Sequence, residues 1–406
     1  MSNPYEGDSL TTIPADRTGR NTASSGNGTV VLELSANRVA INTKRSILGL
    51  LVITLGCLSL IGLDASLAAT QVHHRNNGVW LGHAYVTAQS YVDNVATLAQ
   101  DMKDNYSVLY WFVNVGKVNS SGQLMGGADG LSKAAAFLNA LNDWEASHGY
   151  RFKVLAWING TLTMTDADYI DVNNAIKRRA IVDECKKLIS TAVAGSYVAG
   201  SARSFDGIQI DFEPSGQDST RFDNLKTLMD DIHRGIDAQI GKLTSFVAPK
   251  YKYGTPSEWF WGSSFYYVMG RHVDILAAMT YDSEEKPGNL YENWMRDQTT
   301  GILRSVSGKF WDNDPDHPPP ENGIKVMLGF PAFPANAHHD VEAENIKYAA
   351  PGVDAGLKAL ERSGDPSRDY FQGAAVFLHT DGTGKDHFAS RSSDWRWFSR
   401  YWLEAW

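Results

Sequence analysis

Two carboxylates stand two residues apart in the decapeptide Phe205-Asp206-Gly207-Ile208-Gln209-Ile210-Asp211-Phe212-Glu213-Pro214. The residues around Asp211 and Glu213 are Ile and Phe, the composition of a buried strand. A charge there is expensive unless a partner or a reaction uses it. Side chains alternate along a strand, so Gln209, Asp211 and Glu213 share one face while Ile208, Ile210 and Phe212 share the other. Three polar groups that end where the strand ends form a candidate catalytic edge. The structural alternative is a strand terminus whose acids bind loop amides or a neighbouring Arg.

The rest of the chain shows what must position that edge. From residue 79 onward, apolar runs of strand length alternate with amphipathic stretches of helical length. Strands are predicted at 79–86, 107–116, 152–160, 205–214, 243–250, 273–282, 325–333 and 372–380. Helices are predicted at 90–104, 131–148, 173–194, 218–240, 256–271, 290–307, 352–363 and 394–405. Strands that read as near-continuous apolar runs, each followed by a helix, are what a closed parallel (β/α)8 barrel requires. An open doubly wound sheet is the other arrangement of such units, but no Gly-rich phosphate loop follows the first strand. Polar and aromatic residues gather at the C-terminal strand ends, where barrel sites form: Trp157-Ile158-Asn159-Gly160, Glu213-Pro214, Thr280-Tyr281-Asp282 and Gly329-Phe330-Pro331-Ala332-Phe333. The irregular stretch 311–322 precedes the seventh strand, on the opposite side. His317 within it reads as part of a solvated proline-rich loop rather than a metal ligand, and no metal or other cofactor is expected.

The 406-residue chain is 43% hydrophobic, enough for a large core, and its net charge of -9 without a dense Lys/Arg cluster argues against nucleic acid as a partner. Residues 1–45 are polar, lack periodicity and read as disordered. Residues 46–69 read as a signal peptide or signal-anchor. Lys44-Arg45 precede the uncharged run 46–63, which is close to the roughly 18 residues of the shortest membrane spans. Ser66-Leu67-Ala68 offers small residues for cleavage, and the basic flank places everything downstream outside the membrane. The domain from 79 to 406 is therefore expected to be secreted, or extracytoplasmic and anchored through 46–63. Cys57 lies in that run and Cys185 in a predicted helix, so no disulfide joins them. Trp157, Trp80, Tyr110 and Phe377 are the aromatic candidates for stacking on a sugar ring, each with an ordinary core reading beside it.

These pieces together resemble a known family. Asp206-Gly207-Ile208-Gln209-Ile210-Asp211-Phe212-Glu213 is similar to the Asp-Gly-x-Asp-x-Asp-x-Glu signature of glycoside hydrolase family 18, the chitinases and related endo-β-N-acetylglucosaminidases. Met279-Thr280-Tyr281-Asp282 resembles that family's sixth-strand motif, and Ala248-Pro249 and Gly329-Phe330-Pro331 resemble its strand endings. Three positions depart from the pattern. Gln209 replaces the second Asp, Asn159-Gly160 stands where Ser-x-Gly-Gly is common, and Phe377-Leu378 stands where a Trp floors the sugar site. The interval 334–371 is too short for the small insertion domain often found before the last strand.

The resemblance implies retaining hydrolysis assisted by the substrate's own acetamido group rather than by two carboxylates about 5–5.5 Å apart. It implies Glu213 as acid, Asp211 as stabiliser of the acetamide, and Tyr281 as the group that aims the acetamide oxygen. Gln209, Asp282, Trp157 and Phe377 would contact substrate, and Asp206 would be structural. The expected partner is an oligo- or polysaccharide containing N-acetylglucosamine: chitin, peptidoglycan or an N-glycan core. Gln209 is further expected to donate a hydrogen bond to Asp211 and hold it ionised. A lectin-like barrel that binds such glycans without cleaving them is the alternative.

Overall fold

The computed structural model describes residues 76–216, 219–237, 241–254, 257–311, 314–333, 335, 337–377 and 392–404. The predictions for 1–45 and 46–69 lie outside them, as does the end of the last predicted strand at 378–380. Among the described residues, no helix is long and apolar enough to cross a membrane.

Eight parallel strands close into a barrel. They are β1 (Asn77–Leu81), β2 (Val108–Lys117), β3 (Lys153–Thr161), β4 (Gly207–Glu213), β5 (Leu243–Ala248), β6 (Ile275–Ala278), β7 (Lys325–Pro331) and β8 (Phe371–Phe377). Each strand pairs with its chain neighbours, and β1 closes the ring against β8. Principal helices follow the strands in turn: α1 (Val95–Asp104), α2 (Ala134–His148), α3 (Ala175–Ile189), α4 (Ser219–Asp237), α5 (Ser263–Met269), α6 (Gly288–Ser307), α7 (Ile346–Arg362) and α8 (Ser392–Trp397). The fold is the expected (β/α)8 barrel.

Alternation along the strands divides the core in two. Ile208, Ile210 and Phe212 pack outward under the helices, with Phe246, Val154 and Ile158. Trp80, Phe112, Leu155, Trp157, Ala277, Met327 and Ala375 fill the barrel itself. Inward residues of neighbouring strands meet in layers, and the register sets which groups meet. Asn159 lies opposite Asp211 across β3 and β4, and Gln209 lies opposite Ser245 across β4 and β5.

Several predicted elements differ in extent: the seventh helix begins at Ile346 rather than 352, the sixth strand covers only Ile275–Ala278, and the first helix is broken at Asn94. Two further differences bear on the cleft. The first strand stops at Leu81, and His83–Val86 turn into a 3-10 helix that brings His83 over the barrel end. The predicted helix 256–271 is helical only over Ser263–Met269. Its first part pairs Phe260–Trp261 with Lys250–Tyr251 in a two-stranded ribbon. Aromatic residues favour extended backbone, and the helix starts only after Gly262, an extended N-cap residue. Elsewhere Asn174 caps α3 by accepting from Ile176 N and Lys177 N, as an Asn placed just before a periodic run should.

Within the 311–322 stretch, Trp311, His317 and Pro318 contact neighbouring side chains. Trp311 stacks on His317 at 4.1 Å, and Tyr267 Oη donates to the Pro318 carbonyl at 3.2 Å. Cys185 is buried, and desolvation pushes its thiol well above the ordinary range, so it is no nucleophile.

Candidate active site

The strands' C-terminal ends enclose a cleft of about 570 Å³. Its walls include Trp157 and Asn159 from β3, Asp211 and Glu213 from β4, and Lys250 and Trp259 after β5. Met279, Tyr281 and Asp282 after β6, Phe333 after β7, Phe377 of β8, and His83 and Asn114 complete them. Asp211, Glu213, Tyr281, Asp282, Trp157 and Phe377 are thus brought together from four strand ends.

Asp211 is almost fully buried and takes its hydrogen bonds from β3. Trp157 Nε1 donates to Oδ2 at 2.8 Å and Asn159 Nδ2 to the same oxygen at 2.9 Å. Asn114 in turn donates to Asn159 Oδ1 and orients that amide. The other carboxylate oxygen, Oδ1, is buried with no hydrogen-bond partner among the described residues, as is Oε1 of Glu213. Burial lifts the Asp211 carboxyl to about 6, against the two N–H donors that favour its charged form. Glu213 is pushed well above the carboxylate range, first by burial and then by the Asp211 charge. Lys250 opposes that rise and Asp282 adds to it. The Asp211 charge disfavours ionisation of its neighbour, so the two carboxyls titrate as a pair rather than singly.

Tyr281 enters through a gap that only glycine leaves. A Cβ on Gly329 of β7 would stand 2.9 Å from the Tyr281 ring and 2.8 Å from the Ala278 carbonyl. The ring stacks on Phe377 at 5.1 Å, and Phe377 also meets Phe333 and Trp157 edge-on. Burial, reinforced by Asp211, Glu213 and Asp282, raises the phenol well above its usual 10, so Tyr281 remains a hydrogen-bond donor. Asp282 is lifted by burial, against His339 and Lys250. Its carbonyl accepts from Lys250 Nζ at 3.1 Å.

Gln209 corrects two expectations. It is completely buried one layer below the cleft and does not line it. Its Oε1 accepts from Trp80 Nε1 at 2.7 Å and its Nε2 donates to Ser245 Oγ at 3.0 Å, so nothing is donated to Asp211. Trp80 is likewise buried, and neither it nor Tyr110 lines the cleft. Asp206 lies at the opposite end of β4. There it accepts from Val154 N at 2.8 Å and joins Arg203 and Arg151 in an ion-pair cluster with Glu145.

Lys250, Asn114, His83, Trp259, His339 and Glu344 were not anticipated from sequence, whereas Phe333 belongs to the predicted seventh-strand end. Asn114 carried a signal, a lone polar residue in the apolar run Trp111-Phe112-Val113-Asn114-Val115. Lys250 stands directly after the Ala248-Pro249 motif. Trp259 gave none, because only the ribbon carries it to the rim, where it is 44% exposed.

Neither a protein-family model nor a curated protein matches the sequence. Solved structures do match it. Concanavalin B is similar over 81% of this chain and 99% of its own, at 14% identity and a TM-score of 0.50. A Group IV chitinase of Ostrinia furnacalis covers 80% of this chain and 98% of its own, at 12% identity and a TM-score of 0.47. The spore cortex-lytic enzyme SleL of Bacillus cereus covers 80% and 74%, at 11% identity and a TM-score of 0.47. At such identities the likeness is one of fold.

Proposed function

We propose that the chain is a retaining glycoside hydrolase of β-linked glycans containing N-acetylglucosamine, acting by substrate-assisted acid catalysis. The observation that carries this reading is the division of labour in the Asp211–Glu213 pair. Asp211 has one oxygen fixed by two N–H donors and one buried oxygen without a partner. Glu213 beside it has its carboxyl pushed well above the carboxylate range, first by burial and then by that charge.

In this mechanism the Glu213 proton passes to the glycosidic oxygen as the C1–O bond breaks. The substrate's acetamido oxygen attacks C1 from the other face and forms an oxazolinium ion. The free oxygen of Asp211 accepts the acetamide N–H and offsets the positive charge. The neutral Tyr281 hydroxyl donates to the acetamido oxygen and aims it. Water then opens the ring while the Glu213 carboxylate takes its proton, restoring the acid with retention at C1. Asp282, Trp157 and Phe377 would contact the sugar, and the half-exposed Trp259 offers a further ring to stack on. The basic-flanked apolar run 46–63 supports export of the barrel, either freed after cleavage near Ala68 or held at the membrane.

Hydrolysis of a chromogenic N,N′-diacetylchitobioside tests the proposal, with Glu213→Gln as the control. Turnover in the native chain and none in the variant is the expected result. Binding of chito-oligosaccharides without turnover in either would establish the lectin-like alternative. Cleavage of an analogue lacking the 2-acetamido group would overturn the substrate-assisted route.

A further inference from the structure

The connection from β7 to α7 folds back over the turn that carries Asp282. Two of its side chains, His339 and Glu344, are completely buried. Glu344 is fully engaged. Its Oε1 accepts from the backbone N of Ser283 at 2.8 Å and from the Ser283 hydroxyl at 2.5 Å, and its Oε2 faces His339 Nδ1 at 3.1 Å. A carboxylate only accepts, so Nδ1 carries the proton. The His339 ring stacks on Phe333 of the cleft wall at 4.0 Å, and its Nδ1 lies 3.9 Å from Asp282 Oδ1. Two outer pairs join the same segments, Lys286 with Asp340 at 3.0 Å and His338 with Glu284 at 2.8 Å.

The turn beneath these contacts is strained. Asp282 has φ +54° and Glu284 φ +62°, left-handed values that side chains other than glycine adopt only when the surroundings impose them. Ser283 lies between them and is the residue Glu344 grips. The Asp282 carbonyl in turn holds Lys250 Nζ beside the cleft. Backbone strain, the buried carboxylate and the position of Asp282 are thus one mechanical unit.

We propose that Glu344 and His339 are positioning residues, which clamp the Asp282–Ser283 turn in its left-handed form and so set Asp282 and Lys250 against Glu213 and the sugar. The catalytic consequence rests on the hydrolytic reading above. The mechanical one does not. The ligand atoms of Asp282, His339 and Glu344 lie within 4.8 Å of one another, a spacing that a cation could also use. A Glu344 whose oxygens already hold Ser283 and the imidazole directly fits the clamp better.

The test uses Glu344→Gln, which preserves volume, and His339→Asn, each alone and combined with Asp282→Asn. Circular dichroism establishes that each variant folds. Amide exchange over residues 281–287, read by mass spectrometry, should quicken in Glu344→Gln relative to the native chain. With diacetylchitobioside, each single variant should lose about tenfold or more in kcat/KM, the scale of one charge-assisted hydrogen bond. Either change added to Asp282→Asn should then cost little more than Asp282→Asn alone. Unaltered exchange in folded Glu344→Gln, or kinetic effects that simply add, would overturn the proposal. So would a stoichiometric metal in the native protein whose chelation abolishes activity. A native chain without turnover would remove the hydrolase reading, yet the exchange measurement would still decide the clamp.

Discussion

Trp157 and Asp211 are joined across β3 and β4 by a 2.8 Å hydrogen bond from the indole Nε1 to Oδ2. The indole therefore does more than wall the cleft: it favours the charged form of a carboxyl that burial has raised to about 6. Trp157→Phe keeps an aromatic wall and removes the donor. One hydrogen bond to a charged group contributes about 1.5–3 kcal/mol, on the order of one unit in the pKa. The Asp211 carboxyl should rise by about that much. The acid limb of the kcat/KM profile should then move to higher pH, with the alkaline limb much less affected. An unmoved acid limb would assign Asp211's ionisation to other groups.

Glu213 ties function to stability. Its folded-state pKa lies above its ordinary 4.5, so between those values the folded chain binds a proton that the unfolded chain releases. Stability therefore falls as pH rises from about 4.5 through the folded value, the reverse of a salt-bridged acid. Glu213→Gln should abolish hydrolysis, by at least a hundredfold on the scale of general acid catalysis. It should also raise the melting temperature at pH 8 by roughly 2 °C or more. That gain should shrink towards zero below pH 4.5. A variant less stable than the native chain at pH 8 would contradict the burial account of Glu213.

Lys250 supplies the opposing charge. It lies beside Glu213, and desolvation lowers its own pKa against the pull of Asp282, Glu344 and Glu213. The ammonium favours ionised Glu213, so Lys250→Met should raise Glu213 further. The alkaline limb of kcat/KM should shift upward, by up to about one unit. A downward shift in a folded variant would mean that the lysine influences Glu213 mainly through the Asp282 turn.

What could be read from sequence follows from what periodicity encodes. Alternation placed Asp211 and Glu213 on one face, and the apolar runs placed β4 fourth among eight, because both depend on neighbours close along the chain. Depth along the barrel axis is not encoded that way. Gln209 shares the face of Asp211 but lies two residues, about 7 Å, deeper. Its partners Trp80 and Ser245 are 129 and 36 residues away and are set by the shear of the closed sheet. The same holds for Asn159, whose role as a donor to Asp211 needed the β3–β4 register. His339 and Glu344 were illegible for a further reason. They lie in a loop without period, and their purpose is visible only in the turn they hold.

The place of Gln209 makes its own prediction. Gln209→Asp would restore the acidic residue common at this position in the resembling family, and from sequence it was expected to alter Asp211 directly. In the barrel it would instead replace an amide that both accepts from Trp80 and donates to Ser245. The carboxylate could still accept the indole N–H and the Ser245 hydroxyl could turn to donate to it, but it is one methylene shorter and adds a charge in a fully buried layer. A buried charge without a cationic partner costs several kcal/mol. The variant should therefore melt several degrees lower at pH 7, and the deficit should narrow as acid protonates residue 209. The new charge stands two residues from Asp211 on the same face, so it should raise Asp211 further and move the acid limb of kcat/KM upward. Native-like melting with an altered pH profile would mean that the barrel interior rearranges to bring residue 209 up to Asp211.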